Sequence, residues 1–192
     1  AVSFSPDGRL ICTGSDDGTA RIYEVASGKE LTRMQRGVLA VSFSPAGRLI
    51  CTGSDDGTAR IYEVASGKEL TRMKHGDWVR AVSFSPDGRL ICTGSRDGTA
   101  RMYEVASGKE LTRMQHGRGV RAVSFSPDGR LICTGSDDGT ARIYEVASGK
   151  ELTRMKHGNW VRAVSFSPDG RLICTGSDDG TARIYEVASG KE

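Results

Sequence analysis

The sequence predicts an all-β protein assembled from five stacked copies of one unit, and three observations carry that prediction. The segment AVSFSPDGRLICTGSDDGTARIYEVASGKE recurs with few changes from Ala1, Ala40, Ala81, Ala122 and Ala163, a period of about forty residues. Within each copy, short runs of alternating residues are broken by glycine-containing turns, and no stretch carries the apolar stripe of a helix. Both faces of those runs hold apolar residues. A sheet of that kind is covered on both sides, so each unit must stack on its neighbours to bury itself.

The first copy yields its elements in order. Residues 1–5 form a strand with Val2 and Phe4 on one face, ended by Ser5-Pro6-Asp7-Gly8, where proline presets φ and glycine accepts a positive one. Residues 10–15 form a second strand, with Leu10 and Cys12 on one face and Ile11 and Thr13 on the other. Asp16-Asp17-Gly18 turns the chain into a third strand over 19–25. Ala26-Ser27-Gly28 leads to a fourth over 30–34, the most polar and therefore the outermost. The repeat divides the chain, one repeat domain over 1–192, into units at 1–39, 40–80, 81–121, 122–162 and 163–192. The last unit lacks a fourth strand. Such a unit leaves an open edge, so the chain is expected to pair with other copies of itself, as a homo-oligomer, through unit faces or strand edges.

Composition narrows the function. The chain has 192 residues, and 27 basic against 24 acidic side chains give a net charge of +3, spread through every copy. With no basic stripe to track phosphates, nucleic acid is not an expected partner. No apolar run reaches the roughly 18 residues of a membrane span, and no signal peptide opens the chain. The expected setting is the cytoplasm. Cys12, Cys51, Cys92, Cys133 and Cys174 are one position repeated, which fits neither a disulfide framework nor a zinc pattern. All five are expected to lie between units, reduced and shielded.

The run over 79–105, VRAVSFSPDGRLICTGSRDGTARMYEV, resembles a WD40 repeat through its SPDG turn, its TGSxDGTxR segment and the aromatic-acidic pair that closes the third strand. The resemblance extends over essentially the whole chain. It implies a β-propeller of four-stranded antiparallel blades, four complete and a fifth with three strands, ringing a central channel. Where the family usually has Trp-Asp, this chain has Tyr-Glu, as at Tyr103, Tyr144 and Tyr185. Tyrosine keeps an aromatic body with a hydrogen-bonding tip. The resemblance further implies a structural network in which His75 meets Asp97, His116 meets Asp138 and His157 meets Asp179, each histidine also reaching a Ser or Thr of the second strand and the tyrosine of the third. The second blade has Arg36 at the matching place and the first has no preceding loop, so those two should lack the network.

Other chemical readings fail on spacing. A His, Asp and Ser set recurs in three blades, whereas a catalytic triad is one activated constellation, so no enzyme is expected. Asp16-Asp17 and its copies are adjacent rather than alternating, which suits a turn better than calcium, and no metal or cofactor site is expected. Ser-Gly-Lys lacks the upstream glycine and following Ser or Thr of a phosphate loop.

Apart from Ala46, Arg96 and Met102, the copies differ mainly in the link from the fourth strand into the next blade. In the WD40 resemblance these links and the Asp turns share one face, the face that commonly meets partners. Trp78 and Trp160, the only tryptophans, fall there. Tryptophan and arginine are enriched at interface hot spots, which makes Trp78, Arg96, Arg118 and Trp160 a candidate binding patch for a protein or peptide. The competing reading of these differences is drift in a tolerant loop. The function they point to is a non-enzymatic interaction scaffold. The alternative is an engineered or recently amplified repeat protein with no specific ligand, whose main property is blade self-assembly.

Overall fold

A computed structural model describes residues 1–15, 17–35 and 37–192, with the side chain of Gln35 left out. Asp16 and Arg36, both singled out above, lie outside the described residues. The described chain contains strands and turns and no helix.

Each repeat folds into its own antiparallel sheet, its strands side by side in chain order. The first blade holds β1 (Val2–Phe4), β2 (Leu10–Gly14), β3 (Thr19–Glu24) and β4 (Glu30–Gln35). The second holds β5 (Val38–Phe43), β6 (Leu49–Ser54), β7 (Thr58–Glu63) and β8 (Glu69–Lys74). The third holds β9 (Val79–Phe84), β10 (Leu90–Ser95), β11 (Thr99–Glu104) and β12 (Glu110–Gln115). The fourth holds β13 (Val120–Phe125), β14 (Leu131–Ser136), β15 (Thr140–Glu145) and β16 (Glu151–Lys156). The fifth has three strands, β17 (Val161–Phe166), β18 (Leu172–Ser177) and β19 (Ala182–Glu186). Alternation alone starts the first strand at the alanine of each copy. In blades two to five it begins two residues earlier, at Val38, Val79, Val120 and Val161.

The turns follow from local chemistry. In the first hairpin Ser5 Oγ donates to Asp7 at 2.6 Å and accepts from Leu10 N at 2.8 Å, which closes the loop from inside. The second blade has Ala46 where the others have Asp, and there the Leu49 N to Ser44 Oγ bond remains, at 3.0 Å. With the backbone bonds from Ser44 N to Leu49 O at 2.9 Å and from Gly47 N to Ser44 O at 2.8 Å, it holds the same turn.

Blades stack through their first strands, β1 on β5, β5 on β9, β9 on β13 and β13 on β17, so these strands are innermost and the fourth strands lie outside. Each interface joins two different surfaces. One blade offers Cys51, Ala59, Ile61 and Met73; the next answers with Val79, Phe84, Ile91 and Tyr103. The same halves recur in the other three interfaces. Gly53 permits the approach: a Cβ there would stand 2.6 Å from the Val79 carbonyl oxygen.

Two blade faces have no neighbour. On the first blade Phe4 is 59% exposed, against 7% for Phe43 and Phe84 at the same position. On the fifth, Ile184 is 58% exposed, against 1% for Ile61. This corrects one expectation. Cys12, Cys51, Cys92 and Cys133 are buried free thiols, but Cys174 is exposed, because it lies on the face that no further blade covers.

Candidate functional site

The aspartate turns between second and third strands build one face. Asp97 Oδ1 accepts from Thr99 N at 2.9 Å and from Thr99 Oγ1 at 2.6 Å. Its Oδ2 accepts from Gly76 N at 2.9 Å, in the link entering the blade, and from Arg101 Nη2 at 2.8 Å. One carboxylate therefore ties the turn, the link and the third strand together.

The histidines stand beneath this tie with fully buried side chains. His75 Nδ1 lies 3.4 Å from Asp97 Oδ2 and its Nε2 lies 2.7 Å from Thr93 Oγ1. His116 stands 3.3 Å from Asp138 and 2.8 Å from Thr134, and His157 stands 3.3 Å from Asp179 and 2.8 Å from Thr175. A neutral imidazole satisfies both contacts, with Nδ1–H donating to the carboxylate and Nε2 accepting from the threonine hydroxyl. Burial, reinforced by the Arg101 charge, lowers the His75 pKa to about 4 against the pull of Asp97. Burial lowers that of His116 as well. Burial pushes Asp97 upward, yet the Thr99 and Gly76 bonds prevail and hold it at about 2.

The tyrosines differ from what the resemblance implies. Tyr103, Tyr144 and Tyr185 meet the histidine rings edge-on at 6.2, 6.3 and 6.3 Å rather than by a hydrogen bond. The buried hydroxyls of Tyr103 and Tyr144 have no hydrogen-bond partner among the described residues. Burial raises the Tyr103 pKa to about 12. In the second blade, where no histidine enters, Asp56 keeps its bonds to Thr58 and to Arg60, whose Nε faces Glu69 Oε2 at 3.7 Å without a hydrogen bond. The repeated Arg101 and its copies are thus part of the network, a role that sequence reasoning missed.

The candidate patch divides into two aromatic-cationic clusters. Trp78, 39% exposed, carries the Arg96 guanidinium over its ring at 5.2 Å. Arg118 and Trp160 line one cleft of about 460 Å³ between the fourth- and fifth-blade links, together with Asn159 and Asp137. What spans the two clusters is a set of arginines that the sequence analysis did not single out. Arg80 lies over Trp78 at 5.2 Å, while Arg121 and Arg162 flank Trp160 at 5.2 and 4.8 Å. Together with Leu39 and Trp78, these three arginines line a second cavity of about 400 Å³.

A backbone irregularity delivers them there. Ser95 pairs with Val79 and Gly94 with Ala81, so Arg80 is an extra residue, a β-bulge at the inner strand's entrance. Arg121 and Arg162 occupy the same bulge in blades four and five, and Leu39 occupies it in blade two. Bulges re-aim a side chain without breaking the sheet. The sequence signal was present: the residue between the buried valine and the alanine of each first strand is Leu, Arg, Arg and Arg in turn.

Two of these arginines are neutralised in place. Arg121 Nε donates to Asp137 Oδ1 at 2.5 Å, and Arg162 donates twice to Asp178 Oδ2, at 2.8 Å from Nε and 2.6 Å from Nη2. Among the described residues no three His, Cys, Asp or Glu side chains are grouped to hold a metal ion, and no helix is long and apolar enough to cross a membrane.

Known proteins agree with this geometry. One curated protein, the ribosome biogenesis protein ERB1 of Yarrowia lipolytica, is 52% identical over 33 residues, 17% of this chain and 4% of its own length. The matched stretch is thus a small part of that protein. The family described as WD domain, G-beta repeat matches residues 1–24, 28–63, 67–104, 108–145 and 149–186. With five matched repeats, each ending on the third strand of one of the five antiparallel sheets and the last four each beginning just ahead of the fourth strand of the sheet before, the chain belongs to the WD40-repeat family.

Proposed function

We propose that the chain, acting over 1–192 as one repeat domain, is a non-enzymatic scaffold in which Trp78, Arg96, Arg118 and Trp160 bind a protein or peptide partner. The observation that carries this reading is the coincidence of sequence difference and surface chemistry. The near-identical repeats diverge chiefly in their links, and there two tryptophans stand partly exposed, each stacked by arginines. Aromatic bodies held by guanidinium groups are rigid, amphipathic anchors of the kind that dominate interface energies. The histidine side chains, in contrast, are fully buried, and WD40 repeats in general serve as interaction scaffolds. Unpaired thiols in every blade support a reducing, cytoplasmic setting.

The test is selection of binders from a random peptide library. Peptides enriched on the wild type are expected to lose binding when Trp78 and Trp160 are both replaced by Ala. Enriched peptides that bind the double variant unchanged would overturn the reading.

A second reading, blade self-assembly without a specific ligand, rests on the two uncovered end faces. They are the two halves of the internal interface, so the first blade of one copy can dock on the fifth blade of another, head to tail. Using about 1.5–3 kcal/mol per fully buried apolar side chain, the exposed fractions of Val2, Phe4, Leu172 and Ile184 amount to about 5 kcal/mol. Association costs at least about 4 kcal/mol, so the homo-oligomer is weak and visible only at high concentration. Light scattering that rises with concentration and is abolished by Ile184→Asp supports it. A mass fixed at 20.6 kDa throughout contradicts it.

A further inference from the structure

We propose that Arg80 and Arg96, stacked on Trp78, form a seat for the carboxylate side chain of an acidic peptide, an inference that rests on the interaction face described above. In blades four and five the arginine on the bulge is met by the first residue of the aspartate turn, Asp137 for Arg121 and Asp178 for Arg162. Blade two has the aspartate, Asp55, but Leu39 on the bulge. Blade three alone has arginine at both places, Arg80 on the bulge and Arg96 in the turn.

The consequence is a half-buried guanidinium with a cation where its neighbours have a carboxylate. No carboxylate oxygen lies within ion-pair distance of Arg80 among the described residues. Arg96 reaches only Asp77, at 3.7 Å. Burial, with the charges of Arg121 and Arg96, works against the protonated form of Arg80, and the pull of Asp137 and Asp77 offsets this only in part. Both guanidinium groups lie 5.2 Å from the centre of the Trp78 ring, and Arg80 and Trp78 line the cavity of about 400 Å³. A partly desolvated cation gains most from an incoming anion.

The neighbouring blades also say which anion fits. At the equivalent place they hold a single carboxylate on a guanidinium at 2.5–2.9 Å. Asp77, Asp137 and Asp178 pair with Arg96, Arg121 and Arg162 on this face, so a chain of phosphates would meet carboxylates beside the seat. One Asp or Glu side chain flanked by uncharged residues does not.

The same comparison supplies variants that carry residues already tolerated elsewhere in the fold. Arg96→Asp copies blades four and five, and Arg80→Leu copies blade two. The probes are Ac-Gly-Glu-Gly-NH2, its Gln counterpart and a ten-residue oligothymidylate. The readouts are the NMR signals of the Trp78 indole N–H and of the Arg80 and Arg96 Nε–H groups. The Glu peptide is expected to shift these signals saturably and the Gln peptide not. Each substitution should weaken binding about tenfold or more, equivalent to about 1.4 kcal/mol. Glu and Gln peptides acting alike, either variant binding as the wild type does, or oligothymidylate saturating the seat before the Glu peptide would each overturn the proposal. Library peptides that bind Arg96→Asp normally yet fail on Trp78→Ala would remove the carboxylate seat and leave the interaction face standing. Peptides indifferent to both would remove both.

Discussion

Acid should loosen the third blade before its carboxylates titrate, because His75 must stay neutral to remain folded. An unfolded histidine titrates near pH 6.5, whereas burial holds His75 at about 4. Between those values the unfolded chain binds a proton that the folded chain refuses, so stability falls with pH through this window. Linkage over the two pKa values gives a loss of about 2 kcal/mol at pH 5 and about 3 kcal/mol at pH 4 from this residue alone. Asp97, held at about 2, has a different window: its stabilisation is lost only as pH falls through the ordinary carboxylate value of about 4 toward 2. The assay is urea unfolding at pH 7.5 and pH 5, followed by fluorescence in a Trp160→Phe background so that Trp78, in the link beside His75, alone reports. His75→Gln should be less stable at pH 7.5 and should lack about 2 kcal/mol of the pH-dependent loss. Parallel pH profiles for the two proteins would refute a buried neutral imidazole.

Thiol chemistry should separate the blades. Cys174 should react at once with a native-state thiol reagent, while Cys12, Cys51, Cys92 and Cys133 wait for unfolding, since burial raises Cys12 and Cys92 to about 12; more than one fast thiol per chain would contradict the stacking. Two glycines provide a paired test of blade approach. Gly53→Ala should cost about 1–3 kcal/mol in urea unfolding because its Cβ meets the Val79 backbone. Gly176→Ala should change stability by less than about 0.5 kcal/mol, because only the Ala163 side chain lies near, at 3.8 Å. Equal effects at the two sites would deny that Gly53 is held by the next blade.

The fold was legible because its signals are local and repeated. Alternation in Leu10-Ile11-Cys12-Thr13, the SPDG turn and the doubly apolar strand faces each name a strand, a hairpin and a stacking partner. The fate of Cys174 was harder to read, because a residue type reports its preference for burial and not whether a neighbour covers that copy. Likewise the Trp78 to Arg96 contact could be inferred from the shared face, but Arg80, Arg121 and Arg162 escaped notice. Their placement depends on a one-residue bulge, which strict alternation does not contain. That the Tyr103 hydroxyl is buried without a hydrogen-bond partner among the described residues could not be foreseen either.

The most direct test of an interaction face on the links uses the two tryptophans as the only indole probes in the chain. A peptide selected on the wild type is titrated while the two indole N–H signals and the backbone amides are followed by NMR. The account predicts that at least one indole moves in step with the amides of the links around Gly76, Arg96, Arg118 and Gly158. Saturable shifts confined to the outer strands β4, β8, β12 and β16, with both indoles still, would place binding elsewhere and contradict it.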